Sequence, residues 1–321
     1  MTQLSIVTTL YHSATHLAEF HRRISEAARA ITEDYEIILV NDGSPDDSQR
    51  IAVELSRSDE RVSVVELARN FGHYRAIMTG LAQARGEWVF LIDCDLEEDP
   101  ALLQSFWDQA HADDIDVVYG VQRARKGRFF ERISGSIFYS LINQLSTTPV
   151  PRNVGTIRLM RQPYVRALVR HRDREIFLAG LWSLTGFRQQ PLEFDKHSTS
   201  ATTYSLARKV SAFVNAITSF STKPLVFVFY VGILISMASA VAGGYLLVRR
   251  IFFGEYLVGW ASLIVSIWFI GGVTIFSLGV IGIYLSKIFA ETKRRPYTTV
   301  RSLHGPLSQR ALVDGELDEE R

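Results

Sequence analysis

This sequence of 321 residues has one cysteine, a net charge close to zero and no apolar run at its N-terminus. Its one cysteine, Cys94, cannot form a disulfide within the chain, which fits a reducing compartment. The 35 basic residues nearly balance the 34 acidic ones, so net charge gives no reason to expect nucleic acid as a partner. Residues 1–5 lack a basic region before an apolar core, so we expect a first strand there and no signal peptide.

Several signature motifs are also absent. The sequence has no G-x-G-x-x-G fingerprint, no P-loop, no H-E-x-x-H and no cysteine–histidine set with zinc spacing. These absences argue against the common dinucleotide, P-loop and zinc-enzyme classes. The eight histidines are scattered, and only His73 lies beside a motif that bears on function.

Two long uncharged runs, residues 224–248 and 256–286, occupy the second half. About 20 apolar residues suffice for a helix to cross the hydrocarbon core. Buried core helices are the alternative, but they are seldom this long and apolar on every side. The connector, residues 249–255, is short, so we expect a hairpin with both ends on one side. Basic residues at the outer ends outnumber the two in the connector, which predicts cytoplasmic termini. Those at the outer ends are Lys209, Lys223, Lys287, Lys293, Arg294 and Arg295.

Residues 1–121 alternate between two periodicities. The predicted strands are Leu4–Thr9, Glu36–Val40, Val62–Glu66, Trp88–Ile92 and Asp116–Val121. Between them apolar residues recur at helical spacing, as at Leu17, Phe20 and Ile24. Residues 44–47 predict the start of a helix, and Gly86 predicts the end of another. This alternation predicts a parallel sheet covered on both faces, with ligands outside the carboxyl ends of its strands.

Two acidic clusters follow predicted strands. Residues 40–44 read Val-Asn-Asp-Gly-Ser, and taken alone a plain turn explains them, since Asn, Asp and Gly tolerate left-handed backbone angles. In residues 93–100, Asp99 before a proline predicts a helix cap. Asp93 and Asp95 end an apolar strand and would repel each other unless a cation lies between them. A hard divalent ion that holds a diphosphate meets that need.

A series of ordered motifs runs from Leu4 to Pro296. They are Val-Asn-Asp-Gly-Ser at 40–44, Arg-Asn-Phe-Gly-His at 69–73, Asp-Cys-Asp-Leu-Glu-Glu-Asp-Pro at 93–100, a basic segment at 125–131, the segment 217–225, and residues 279–285 followed by Arg295-Pro296. Each motif is weak alone. In this order they resemble the family 2 glycosyltransferases, and within them the branch that acts on polyprenyl phosphates.

The resemblance implies an α/β domain of the Rossmann-like GT-A type with a C-terminal transmembrane hairpin. The implied donor-binding residues are Thr9, Tyr11, Asp42, Arg69, Asn70, Gly72 and Asp93. Asp95 is the expected ligand of Mg²⁺ or Mn²⁺, and the expected catalytic residues are Asp93, Asp95, Arg128 and Arg158. The donor would be a nucleotide sugar, with a UDP-hexose favoured, and the acceptor an undecaprenyl-type phosphate. A homo-oligomer, often a tetramer, is also implied.

Two segments depart from the family pattern. The family's opening is usually V-[IV]-P-[VT]-[YL]-N-E, whereas residues 7–13 read Val-Thr-Thr-Leu-Tyr-His-Ser, so we expect a different base or ribose pocket. The family often has G-[DS]-F-R-L, with an aspartate suspected as base, and here Thr156 holds that position. A phosphate acceptor is already largely dianionic at pH 7 and needs neutralisation more than a base. We expect this from Arg125, Arg128, Arg132 and Arg158. For the first three, a solvated basic face near anionic lipid is equally compatible.

Three regions are predicted. Residues 1–223 form a cytoplasmic catalytic domain, residues 224–288 two transmembrane helices, and residues 289–321 a cytoplasmic tail that is partly disordered from about Arg301. Residues 135–146 have the spacing of an amphipathic helix in the membrane interface. The expected location is the bacterial inner membrane.

Two other functions stay open. A non-catalytic membrane adaptor or translocation partner would explain the departures at His12 and Thr156, but the retained Asp42, Asp93 and Asp95 argue against it. A transferase acting on a glycan hydroxyl would need a base, and such synthases generally carry more membrane helices.

Overall fold

The computed structural model describes residues 2–112, 115–123, 154–171, 178–195, 218, 223–253, 259–293 and 295–314. Among them, the residues up to 195 and those from 295 onward form one compact unit, here called the sheet unit. Residues 218 and 223–293 belong to a second, the helix-pair unit. The predicted boundary at residue 223 therefore omitted a part of the sheet unit that follows both hydrophobic runs in sequence.

The elements of the sheet unit lie on both sides of the helix pair in sequence. Before it they are β1 (Leu4–Leu10), α1 (Leu17–Arg29), β2 (Tyr35–Asn41), α2 (Ser48–Ser58), β3 (Val62–Leu67), α3 (His73–Gln83), β4 (Trp88–Leu91), α4 (Leu102–Ala112), β5 (Val117–Gln122), β6 (Val154–Arg161), α5 (Gln162–Val169), α6 (Leu178–Leu184) and β7 (Gln189–Phe194). The helix pair is α7 (Lys223–Phe253) and α8 (Trp260–Thr292), and after it come β8 (Val300–His304) and α9 (Pro306–Asp314).

The strands form one mixed sheet in the order β7-β5-β6-β4-β1-β2-β3-β8. The five predicted strands are confirmed as β1 to β5, each to within one residue at either end. The predicted parallel arrangement is confirmed for β1 to β4, but the sheet as a whole is mixed. β6 runs antiparallel between β4 and β5, and β8 runs antiparallel to β3 at the sheet's edge. Both antiparallel strands lie beyond the stretch whose strand–helix alternation supported a parallel sheet.

Strand β2 is central to the parallel part of the sheet, and all seven of its residues are buried. One face of the sheet packs on α1 and α4, whose Phe20 and Phe106 belong to the core. The other face carries Val7 and Val40, against which Gly80 of α3 packs closely. Burial on both faces is what the apolar strand sequences predicted.

Two local predictions differ from the structure. α2 begins at Ser48, after a turn in which Asp46 accepts hydrogen bonds from the Ser44 hydroxyl and from the Ser48 main-chain N–H. The predicted start at residues 44–47 is therefore this turn. Gly86 does not end α3, which stops at Gln83. It is required by a close approach, since a Cβ there would lie 2.5 Å from the main-chain nitrogen of Ser5.

Residues 295–314, here called the return segment, are part of the sheet unit. β8 pairs with β3, and Leu307 of α9 is buried. Arg310 Nη1 donates to Oε2 of the buried Glu36 at 2.9 Å. The prediction of a poorly ordered tail from Arg301 is therefore wrong for the residues up to 314. Its order comes from main-chain pairing and a long-range ion pair, and composition reveals neither.

Helices α7 and α8 carry the two hydrophobic runs. Within them, Lys223–Tyr245 and Ser266–Thr292 are long and apolar enough to cross a membrane. Large apolar side chains such as Phe252 and Trp268 are exposed, as expected where lipid is the solvent. α7 continues to Phe253, so it includes most of the predicted connector.

Candidate active site

The carboxyl ends of β1, β2 and β4 lie side by side, because these strands are parallel neighbours. The chain order reverses here, since β2 and β3 follow on one side of β1 and β4 lies on the other. Open α/β sheets bind ligands at such a switch point. The structure brings the predicted residues of these three strand ends to one edge of the sheet. They are Thr9, Tyr11, Asp42, Asp93 and Asp95.

Asp42 is buried directly after β2 and supports the loop between β3 and α3. Its two carboxylate oxygens accept hydrogen bonds from the main-chain N–H groups of Phe71, at 2.7 Å, and Gly72, at 3.0 Å. Burial raises the pKa of Asp42, whereas these N–H groups and the charges of His73 and Arg69 lower it. Asp42 therefore holds the loop in place through these two hydrogen bonds. Its contact with the nucleotide-sugar donor stays a prediction.

Gly43 lets the β2 turn touch this Arg69–Gly72 loop. Its φ is +60°, and a Cβ there would lie 2.5 Å from the main-chain carbon of Arg69 and the nitrogen of Asn70. The Arg69 guanidinium lies 4.1 Å from the centroid of the Phe71 ring and donates to the Asn70 carbonyl at 3.0 Å. Arg69 and Asn70 are exposed, so the loop presents a cation and an amide at the sheet edge.

His73, the first residue of α3, connects the ends of β1 and β4. Its Nδ1 lies 3.0 Å from Thr9 Oγ1, and its Nε2 lies 3.6 Å from Asp93 Oδ1. When protonated it forms an ion pair that orients the Asp93 carboxylate. Sequence reasoning noted His73 but assigned it no role. The sequence did hold a signal for such a role: His73 begins the helix after β3, and the start of that helix lies at this edge of the sheet.

Hydrogen bonds hold the turn after β1, where the sequence departs from the family pattern. His12 has a φ of +55°, in the left-handed region where Asn and His are both enriched. Its main-chain N–H donates to Ser44 Oγ at 2.8 Å, and the Tyr11 N–H donates to Ser13 Oγ at 3.0 Å. His12 therefore has a backbone conformation that the family's asparagine also adopts readily. Tyr11 is half exposed beside it.

The loop after β4 holds the two predicted carboxylates in different surroundings. Asp93 is partly buried, whereas Asp95 is exposed and its Oδ1 accepts the Glu97 N–H at 3.0 Å. Among the residues that the structure describes, no three His, Cys, Asp or Glu side chains cluster as a metal site. Mg²⁺ needs only one or two carboxylates when substrate phosphates and water complete its shell. The carboxylates of Asp93 and Asp95 therefore fit a divalent ion that binds together with a diphosphate.

Cys94, between these carboxylates, points into the core. Its Sγ lies 3.1 Å from Ser13 Oγ and 3.2 Å from the Thr9 carbonyl oxygen. Burial raises the pKa of the thiol to about 11, and the charges of Asp93 and Asp95 act in the same direction. The thiol is therefore a structural hydrogen-bond donor at neutral pH.

Arg158 lies in β6 and is 1% exposed, which was not expected from sequence. Its guanidinium carbon lies 3.0 Å from the centroid of the Trp182 ring. Nε donates to the Thr156 carbonyl at 3.2 Å and Nη2 to the Gly155 carbonyl at 3.3 Å. A direct contact with an acceptor phosphate would require the guanidinium to leave Trp182. This arrangement therefore differs from the predicted phosphate contact and instead holds the main chain at 155–156.

Glu98 is a second buried charge near Arg158 that sequence reasoning missed. A Cβ on Gly155 would lie 3.3 Å from Glu98 Oε1, so the end of the Asp93–Asp99 loop packs on this glycine. Burial lowers the pKa of Arg158, whereas Tyr164, Tyr119 and Glu98 favour its charged form. Glu98 and Arg158 therefore link the β4 loop electrostatically to β6 from inside the fold.

The other predicted acceptor residues, Arg125, Arg128 and Arg132, lie outside the described residues, as does the predicted amphipathic helix at 135–146. Their roles stay predictions. Thr156, the position without a carboxylate, is partly buried in β6.

Comparisons with known proteins show the family of this chain. The model of "Glycosyl transferase family 2" matches residues 5–169. A Mycobacterium tuberculosis protein described as "Putative glycosyltransferases" is 51% identical over 303 residues, which cover 94% of this chain and 89% of the relative. The "Bactoprenol glucosyl transferase" of Shigella phage SfII is 30% identical over 308 residues, 94% of this chain and 98% of the relative.

Among solved structures, Staphylococcus aureus TarS in complex with UDP-GlcNAc aligns with a TM-score of 0.44 and 18% identity, over 68% of this chain and 66% of that one. The family match covers half of the chain, and relatives at 30% identity or more align over nearly all of it. The chain therefore belongs to glycosyl transferase family 2 and is a glycosyltransferase with a GT-A domain, whose full-length relatives include bactoprenol glucosyl transferases.

Proposed function

We propose that this enzyme transfers a sugar, with a UDP-hexose as the favoured donor, to an undecaprenyl-type phosphate at the cytoplasmic face of the bacterial inner membrane. The observation that carries the proposal is the convergence of Thr9, the Arg69–Gly72 loop, Asp93 and Asp95 at one sheet edge. Two helices apolar enough to span a membrane and the relatives named for bactoprenol favour a lipid acceptor.

On the donor side, Arg69 and Asn70 would contact the nucleotide, and Asp42 would hold their loop. Asp95 would bind Mg²⁺ or Mn²⁺, and the bound ion would neutralise charge on the departing diphosphate. His73 orients Asp93 toward the same place. The side chains of Arg69, Asp42, Asp95 and His73 each make a described hydrogen bond or ion pair, which favours a preorganised site.

On the acceptor side, a phosphate oxygen would form a bond to the anomeric carbon. The bond from that carbon to the diphosphate oxygen breaks, and its electron pair leaves with the nucleoside diphosphate, so the configuration inverts. No proton has to move, because the second pKa of a phosphate monoester is near 6. Arg125, Arg128 and Arg132 would bind the acceptor phosphate, while Arg158 would position residues 155–156 from inside.

A donor screen tests the proposal. Purified full-length protein is incubated with undecaprenyl phosphate, Mg²⁺ or Mn²⁺ and a panel of nucleotide sugars, and lipid products are identified by mass spectrometry. One donor should give a lipid-phosphate sugar with an inverted anomeric centre. Nucleotide binding without any product would favour the adaptor function, and transfer only to a glycan would favour the hydroxyl acceptor.

A further inference from the structure

Two consecutive residues of the return segment contact both flanks of the Arg69–Gly72 loop. On one flank, the main-chain N–H of Ala68 donates to the Thr299 carbonyl at 2.9 Å. On the other flank, Thr79 of α3 lies with its Oγ1 2.8 Å from Thr298 Oγ1. α3 begins at the residue directly after the loop. The same dipeptide thus contacts the residue before the loop and the helix that follows the loop.

The direction of the threonine pair can be assigned. The Thr79 hydroxyl hydrogen is used by the Arg75 carbonyl, at 2.9 Å. A hydroxyl has one hydrogen, so Thr298 donates and Thr79 accepts. Thr79 is 5% exposed, so water would not readily replace the Thr298 hydroxyl as its hydrogen-bond donor. A valine at position 298 would remove the donor with little change of shape.

The neighbouring pairing extends this support along β3. β8 covers what would otherwise be an open edge of the sheet. Val300 pairs with Leu67, and the register shifts between Glu66 and Leu67, next to the loop. The Ser302 hydroxyl donates to the Glu66 carboxylate, and Arg301 forms an ion pair with it at 3.5 Å. The end of β3 is therefore fixed by the return segment.

We propose that Thr298 and Thr299 are positioning residues for the donor nucleotide. They bind the residue before the Arg69–Gly72 loop and the helix after it, while Asp42 binds the last two residues of the loop. The inference rests on the proposed function, in which this loop binds the nucleotide. Thr298 follows Thr292, the last residue of α8, by six positions in sequence. The return segment, which follows the second apolar helix, thus positions the loop that binds the donor nucleotide. We therefore expect the affinity for the donor nucleotide to depend on the return segment.

The test uses the full-length protein in lipid nanodiscs. We compare the wild type with Thr298→Val, Thr79→Val and the double variant. Arg310→Gln is the matched control, because it breaks a return-segment contact to Glu36, near the start of β2 and away from the carboxyl edge. Three quantities are measured: the Kd for UDP with Mg²⁺, the Tm, and hydrogen exchange of the amides at residues 69–72.

Each threonine variant should raise the Kd for UDP about three- to tenfold, the range of one hydrogen bond. The double variant should add little, because both substitutions remove one contact. Amide exchange at Phe71 and Gly72 should accelerate. Arg310→Gln should lower the Tm while leaving the Kd unchanged.

Three results overturn or separate the claims. An unchanged Kd and unchanged exchange in Thr298→Val would overturn the inference. An equal rise of Kd in Arg310→Gln would show general destabilisation and overturn it too. If the wild type binds neither UDP nor any donor of the panel, the proposed function fails. Exchange at residues 69–72 then still decides whether the return segment fixes the loop.

Discussion

The Asp42 carboxylate accepts the main-chain N–H of Gly72 at 3.0 Å, across a gap of 30 residues in sequence. Its other oxygen accepts the Phe71 N–H at 2.7 Å. One side chain at the end of β2 thus determines where the loop after β3 lies. Asp42 therefore affects the shape of the site through this loop, whether or not it also contacts a ligand.

Asp42→Asn should raise the Kd for UDP by roughly tenfold or more. An amide has only one acceptor oxygen, so its NH₂ group would face one of the two N–H donors, and a buried unsatisfied donor costs about 1–3 kcal/mol. Calorimetry on the full-length protein measures the change. Asp47→Asn is the control, because Asp47 is exposed and forms only a surface ion pair with Arg50. Equal affinities for the two variants would contradict the assigned role.

Asp95→Asn should lower turnover by at least about a hundredfold, because loss of one preorganised charge contact costs ~3 kcal/mol in the transition state. Excess EDTA should abolish activity, and Mg²⁺ or Mn²⁺ should restore it. Glu97→Gln is the matched control, since it removes a charge from the same loop. Full activity of Asp95→Asn, or of the wild type in EDTA, would exclude a metal ligand at this position.

The sequence predicted the strands and the site edge because both depend on local patterns. β-branched runs mark β1 to β5, and polar residues such as Asp42 and Asp93 end them. Three features were missed because they depend on distant contacts. β8 is ordered by pairing with β3, and Arg158 is buried by stacking on Trp182. His73 gains its place from Thr9, 64 residues earlier.

Cys94 should resist alkylation in the folded protein at pH 8. With a pKa of about 11, only about a thousandth of the thiol is ionised there, whereas an unfolded cysteine near 8.5 is partly ionised. Iodoacetamide labelling with and without denaturant measures the difference. Rapid labelling of the native protein would show that the thiol is accessible.

The same shift predicts a pH dependence of stability. The folded pKa of Cys94 lies above its unfolded value, so its contribution to stability is complete below the unfolded value near 8.5 and is lost as pH rises toward about 11. Cys94→Ser lacks this titration. The difference in Tm between wild type and variant should therefore shrink between pH 8 and 10.5, and a constant difference would contradict the shift.

The termini should be cytoplasmic, with the connection between α7 and α8 across the membrane. In a Cys94→Ser background, an impermeant maleimide added to intact cells should modify Gly254→Cys and spare Gln309→Cys. Gln309 is exposed in α9, so it should be labelled once the cells are permeabilised. Labelling of Gln309→Cys alone in intact cells would reverse the topology.

Sugar transfer should proceed without a base at position 156, and Arg158 should act by holding the main chain at residues 155–156. Thr156→Ala should keep activity within about tenfold, because a lost neutral hydrogen bond costs only ~0.5–1.5 kcal/mol. Arg158→Met should lower activity far more, since it removes the buried cation that binds the Gly155 and Thr156 carbonyls and stacks on Trp182. The rate should also fall as pH drops through about 6, where the acceptor gains a proton.

A second substitution distinguishes support from direct phosphate contact. Glu98 favours the charged form of Arg158, and in Arg158→Met its carboxylate loses that attraction, so Glu98→Gln should restore part of the activity and of the Tm lost in Arg158→Met. A residue that binds the acceptor phosphate directly would show no such rescue. Its loss would instead raise the acceptor KM, and Arg158→Lys would keep much of the activity. Arg128→Ala should show that acceptor effect, because its predicted role is direct. If Arg158→Met raises only the acceptor KM and Glu98→Gln rescues nothing, the guanidinium leaves Trp182 during catalysis and contacts the phosphate after all.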